Sequence, residues 1–147
     1  MLALASLAAS IVISAPWPNG GTIPRRYTCD GGNAQPGISW HYDYSWSGET
    51  PAPRPVDVLT LVDLDARPAP FVHWLRAGKV VGRNSFGRIG WDGPCPRHGG
   101  RAHRYVLRVD AVRGPLSLRP GFTFAQLRRA MRGRVVASGT VLARYAR

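Results

Sequence analysis

The apolar residues of this chain come in short runs, several with a period of two, broken by Gly- and Pro-rich stretches. Successive side chains of a strand point to opposite faces, so this pattern predicts half-buried strands. Ile11–Ser14 is a short apolar run. In Ile38–Trp46 the bulky residues Ile38, Trp40, Tyr42, Tyr44 and Trp46 alternate with small or polar ones. Val56–Val62 and Phe71–Leu75 are two further strands, separated by the turn Ala66-Arg67-Pro68-Ala69-Pro70. In His103–Val112, Tyr105, Leu107 and Val109 alternate with Arg104, Arg108 and Asp110, which predicts one apolar and one largely charged face. Pro16–Gly37 is turn-rich and reads as a long surface loop, Glu49–Pro55 as a proline-rich connector, and Gly78–Trp91 as irregular with a short strand near Lys79-Val80-Val81. One helix is well signed. Thr123 and Gln126 have capping-box spacing, Phe124, Leu127 and Met131 share a face, and Gly133 stops it. Arg134–Tyr145 returns as a last strand.

The chain therefore reads as mainly β, with one or two short helices near the C-terminus. At 147 residues it is expected to form one domain with its own core, and the 17 Gly and 13 Pro agree with a turn-rich β fold.

Charge divides the chain. Residues 1–75 hold four Arg and six acidic residues, whereas residues 76–147 hold sixteen basic residues and two acidic ones, for a net charge of +12 overall. A basic half suggests an anionic partner, such as an acidic protein, a membrane surface or nucleic acid, or simply a solvated basic face. No aromatic-basic RNA-binding motif accompanies it, so nucleic acid is the weaker partner.

Cys29 and Cys95 form no C-x-x-C. They are either one disulfide or two buried free thiols, and Cys95-x-x-His98 is half of a zinc motif without a second half. Met1–Ala15 has the look of an export-signal core without preceding basic residues. Ile11–Ser14 is assigned to a strand, and Met1–Ser10 to a signal remnant or an undecided leader. The chain is accordingly cytoplasmic or exported. No stretch is long enough to cross a membrane as a helix.

Two polar clusters sit at the ends of predicted strands: Asp63-Leu64-Asp65-Ala66 with Phe71-Val72-His73-Trp74, and Gly93-Pro94-Cys95-Pro96 with His103-Arg104-Tyr105. A strand rich in Val and Leu has no packing use for histidine. Strand ends beside turns are where a rigid scaffold presents a site. Two imidazoles and a phenol supply donors for a small anion. Asp63 or Asp65 could orient a histidine, or hold the ammonium of a zwitterionic ligand. Gly93 would allow close backbone approach. Asp63-x-Asp65 also suggests a divalent metal for phosphoryl chemistry. However, Ser85 and Thr60 have no signed base, and the chain has no phosphate loop, His-Glu-x-x-His or nucleophile elbow.

These motifs occur in a fixed order: Gly21-Thr22-Ile23-Pro24, Arg26–Gly31, Asn33, Ser39-Trp40, Asp63–Ala66, Phe71–Trp74, Asn84-Ser85-Phe86-Gly87, Gly93–Pro96 and His103–Tyr105. In this the chain resembles the phosphatidylethanolamine-binding protein family, and most of all its bacterial Raf-kinase-inhibitor-like branch, from about Ile11 to Tyr145. The resemblance implies a sandwich-like fold of two packed sheets and a small anion pocket at one end. That pocket would be formed by Asp63, Asp65, His73, Pro94, His103 and Tyr105, with Ala66 at its rim. It implies a non-enzymatic protein that needs no cofactor and binds a phosphate-containing small molecule or phospholipid head group. Kinase or protease inhibition is a secondary reading. Three departures stand out. Leu64 and Arg67 replace prolines of the family's first motif, a loss of two fixed φ angles that should loosen the turn. The Leu75–Asn84 segment is short. Arg97 and His98 stand where the family often has proline and glycine.

Overall fold

The structure is a computed structural model and describes residues 9–43 and 54–147. The described residues form eight strands, β1 (Ala9–Ser14), β2 (Gly21–Thr22), β3 (Ser39–Asp43), β4 (Val56–Asp63), β5 (Phe71–Ala77), β6 (Val80–Val81), β7 (His103–Val112) and β8 (Val135–Tyr145), and one α-helix, α1 (Phe124–Met131). The strands run in the hydrogen-bonded order β3-β1-β8-β7-β4-β5-β6, with β2 pairing onto β8. The expected strand over Ile38–Trp46 is seen as β3, and its residues from Tyr44 onward lie outside the described residues. Most of the Glu49–Pro55 connector and of the Met1–Ser10 leader lie outside them as well. The predicted long loop Pro16–Gly37 carries β2 and one 3-10 turn at Arg25–Tyr27.

The sandwich arises because the β1–β3 ribbon folds back over one face of the β4–β5–β7–β8 body. In pairing order β3 stands four places from β4. Even so, Trp40 Nε1 donates to Asp57 Oδ2 on β4 at 3.1 Å and the Tyr42 hydroxyl donates to Asp57 Oδ1. Ile11, Leu59, Leu61, Leu107, Val109 and Val141 are buried in this first core, with Trp40 and Tyr42 packed against it. A Cβ on Gly139 would lie 1.9 Å from the Ile11 carbonyl oxygen, so the crossing of β1 over β8 requires glycine there.

The opposite face carries a second core of Val58, Val72, Leu75, Val112, Phe122 and Leu127, roofed by α1 and the segment before it. The capping box is formed: Gln126 N–H donates to Thr123 Oγ1, and Thr123 N–H donates to Gln126 Oε1. Leu127 is buried, while Phe124 and Met131 pack half-buried beside it. The predicted charged face of β7 is only partly so. Arg104 and Arg108 are exposed, but Asp110 is buried, held by Arg108 at 2.9 Å and by the Ser138 hydroxyl at 2.5 Å. This second core covers the far end of the strand, so a carboxylate there must be paired.

Candidate functional site

β4, β5 and β7 are adjacent and antiparallel, so the end of β4 meets the starts of β5 and β7. The register places Asp63 opposite both Phe71 and Tyr105. Two strand ends that are far apart in sequence thereby become one wall.

His73 owes its position to an irregularity. Leu61 pairs with Trp74 but Val62 pairs with Val72, so His73 is one residue too many for the ladder. Such a bulge re-aims a side chain. The His73 ring lies 5.4 Å from that of Tyr105, 5.2 Å from Phe71 and 5.5 Å from Phe86. Its Nδ1 is 2.7 Å from the Asp92 carbonyl oxygen, which can only accept, so Nδ1 carries the proton. Nε2 is buried and has no partner among the described residues. Burial lowers the His73 pKa, opposed by the Asp92 carbonyl and by the Asp63 charge, so the ring is held towards neutrality.

His103 is oriented in a parallel way. Its Nδ1 lies 2.7 Å from Asp63 Oδ2, which again leaves Nε2 for the cavity. Asp63 is buried, and its other oxygen accepts from the backbone N–H groups of Asp65 and Ala66 at 2.8 and 3.1 Å. This Asx-type turn ties the segment that follows β4, so the turn missing two prolines is held by side-chain hydrogen bonds instead. Asp65 is saturated too. Its Oδ1 accepts from Arg104 Nη2 at 2.8 Å, and its Oδ2 accepts from Arg104 Nε at 3.0 Å and the Arg104 backbone N–H at 2.8 Å. The Arg104 guanidinium holds the Asp65 carboxyl well below the usual carboxylate range. Tyr105 is fully buried, and its hydroxyl makes no well-formed hydrogen bond, although it lies close enough to Asp63 to feel its charge. Burial first, then that charge, pushes its pKa up, so the phenol stays protonated.

These groups surround a cavity of about 550 Å³ lined by Asp63, Asp65, Arg67, His73, Phe86 and His103, with Phe71, Ala66 and the Cys95–Arg97 segment completing the wall. Of the six predicted residues, four line it. Tyr105 lies beneath, against His73. Pro94 does not line it. It is buried behind the wall, and its carbonyl accepts from Cys29 N–H at 3.2 Å. The reading of Gly93 also changes. A Cβ there would lie 1.8 Å from the Tyr27 carbonyl oxygen, so this glycine admits the Cys29 loop rather than a ligand.

Cys29 and Cys95 form a disulfide, which removes both the free-thiol and the zinc half-site alternatives. Among the described residues no three His, Cys, Asp or Glu side chains are grouped to hold a metal ion. Ser85 Oγ accepts from Val72 N–H at 2.7 Å and lies outside the cavity wall.

Sequence reasoning did not assign a role to Asp92 or to the residues that hold it. Its buried carboxylate accepts from Asn84 Nδ2 at 2.7 Å, from Arg88 at 2.9 and 2.6 Å, and from Asn33 Nδ2 at 3.3 Å. Asn33 Oδ1 in turn accepts from Gly93 N–H. This network fixes the carbonyl that orients His73. Asn33 and Asn84 were visible within the ordered motifs, but the acid that joins them was not.

A sandwich of β-strands with a two-histidine cavity at the end of its central strands defines the class of protein. The particular family follows from comparison. The family model described as phosphatidylethanolamine-binding protein matches residues 13–146, and the chain belongs to that family. Among its relatives is a UPF0098 protein of Pyrococcus horikoshii, 31% identical over 94% of this chain and 77% of its own length. Another UPF0098 protein, from Aquifex aeolicus, is 31% identical over 92% of this chain and 88% of its own. Among solved structures, a Chlamydia trachomatis homologue of phosphatidylethanolamine-binding protein superposes with a TM-score of 0.77 at 26% identity, covering 94% of this chain and 98% of that one. Escherichia coli YbcL gives the same TM-score of 0.77 at 19% identity over 95% and 99%, a likeness of fold.

Proposed function

We propose that this protein is a non-enzymatic binding protein whose two-histidine cavity takes the phosphate group of a small molecule or phospholipid head. One observation carries the reading. His73 and His103 both have Nδ1 tied to a fixed acceptor, both residues line one cavity, and neither Nε2 has a hydrogen-bond partner among the described residues. A free Nε2 accepts from a protonated phosphate oxygen or, once protonated, donates to an anionic one. Oriented imidazoles with no internal partner suit a ligand better than they suit the fold, because a buried unpaired nitrogen costs about 1–3 kcal/mol. Family membership supports a binding protein of this type. Both carboxylates are engaged, by His103 and Arg104, and the Ser85 hydroxyl lies outside the cavity wall.

The test is a titration with inorganic phosphate followed by the His73 and His103 imidazole resonances. Both are expected to shift together, and His73→Ala and His103→Ala should each weaken binding about tenfold, the loss of one charge-assisted hydrogen bond. No shift at millimolar phosphate overturns the reading of the cavity. Phosphomonoester turnover that disappears in Asp65→Ala overturns the non-enzymatic reading.

A further inference from the structure

Resting on that reading, we infer that the cavity selects a ligand that carries two or more negative charges, on or beside its phosphate, and no ammonium group. The two carboxylates that could hold an ammonium are already engaged by cationic and N–H donors of the chain itself. Asp63 is buried and accepts from two backbone N–H groups and from His103. Asp65 has both oxygens in the Arg104 fork and accepts the Arg104 main-chain N–H as well. A ligand ammonium would have to share its carboxylate with a bidentate guanidinium, whose planar fork fits a carboxylate better than a point charge does.

The uncommitted charges on the same wall are positive. Arg67 and Arg97 both line the cavity. Arg67 donates only to the Ala66 carbonyl at 3.3 Å, and Arg97 has no hydrogen bond or ion pair among the described residues. Arg101 and Arg144 line a second hollow, which shares Asp65 and His103 with the first and extends the positive rim. The remaining wall is aromatic, from Phe71 and Phe86, which pack edge-to-face on each other, and the Phe86 ring already carries the Arg88 guanidinium 6.0 Å from its centre. Phosphate at the imidazoles therefore leaves two guanidiniums to meet whatever the ligand carries next. The chemistry that satisfies them is a carboxylate, a second phosphate or the extra charge of a phosphomonoester dianion.

The experiment compares three phosphates at constant ionic strength: inorganic phosphate, phosphoethanolamine and 3-phosphoglycerate, each followed by the His73 and His103 resonances and by calorimetry. 3-Phosphoglycerate is expected to bind about tenfold more tightly than phosphoethanolamine, one to two charge-assisted contacts in place of none. In Arg67→Gln/Arg97→Gln, both exposed and replaceable without harm to the core, that ratio should fall towards one. A lipid arm uses dihexanoyl phosphatidic acid and dihexanoyl phosphatidylethanolamine. Stronger binding of the former than of 3-phosphoglycerate identifies a lipid head group as the source of the charge, and weaker binding identifies a soluble compound. Either order supports the inference if each exceeds its ammonium-bearing counterpart. Phosphate binding at both histidines with phosphoethanolamine equal to or tighter than 3-phosphoglycerate overturns the inference and leaves the phosphate reading intact. If none of the ligands moves either histidine, the phosphate reading fails first.

Discussion

Two of the molecule's arginine-lined hollows make a contrast, and the larger of the two is not the one built like a site. Between α1 and the segment before it lies a cavity of about 730 Å³, walled by Arg119, Arg129, Arg132 and Arg134. The histidine cavity measures about 550 Å³. In the larger one only Arg134 among these is anchored, through Pro115 O at 3.1 Å, and its apolar floor of Leu116, Leu118 and Phe122 already serves the second core. In the smaller one each imidazole is held by a fixed acceptor, and the carbonyl behind His73 is itself fixed by a buried network. Charge and volume draw an anion near. Groups ordered before the ligand arrives avoid the entropy of ordering them afterwards, and that separates a binding site from a basic surface.

The sharpest way to break this contrast is to release the smaller cavity's wall. The Cys29–Cys95 bridge spans 66 residues, and chain-entropy reasoning puts its stabilisation at about 4 kcal/mol. Cys29→Ser/Cys95→Ser should lose roughly that much in urea denaturation, and phosphate affinity should fall because Cys95, Pro96 and Arg97 line the cavity. A double variant with unchanged phosphate affinity would show that the wall is held by the Asn33–Asp92–Gly93 contacts alone.

An intermediate effect concerns pH. The folded-state pKa of His73 is lowered from 6.5, so the unfolded chain binds the proton more readily. Stability from this residue is present above pH 6.5 and is lost as pH falls below it. The groups facing the ring are Asp63, the Asp92 carbonyl and the neutral Tyr105. Thermal melts between pH 7.5 and 5 should show a decline that phosphate reduces, because a bound anion favours the imidazolium. His73→Gln should flatten the His73 part of the curve.

The smallest effect is expected from the larger cavity itself. Arg129→Gln/Arg132→Gln removes two exposed charges whose side chains have no partner among the described residues and should change stability by no more than about 0.5 kcal/mol. Phosphate binding at His73 and His103 should stay within twofold. A tenfold loss would mean that the basic helix end, not the oriented histidines, gathers the anion.

Much of the fold could be read from local pattern. The alternation in His103–Val112, the short apolar runs and the Thr123–Gln126 cap are properties of neighbouring residues, and the structure keeps them. The site was legible only as ordered motifs. His73, His103, Asp63 and Asp65 meet as expected, while Pro94 and Gly93 serve the Cys29 loop and Asp110 is buried. Those differences depend on what packs from elsewhere in the chain, which periodicity does not encode.

The sequence by itself determined that this is a β-rich chain with two polar strand ends, because side-chain alternation and capping act over two to four residues. Only the tertiary structure decided which charges cancel. Pairing across about forty residues set Asp63 on His103 and Asp65 on Arg104 and left Arg67 and Arg97 open. The bulge at His73, the cysteine pairing and the carbonyl of Asp92 are likewise long-range outcomes. They follow from strand register and loop docking, and these are what turn two polar strand ends into one positively biased cavity.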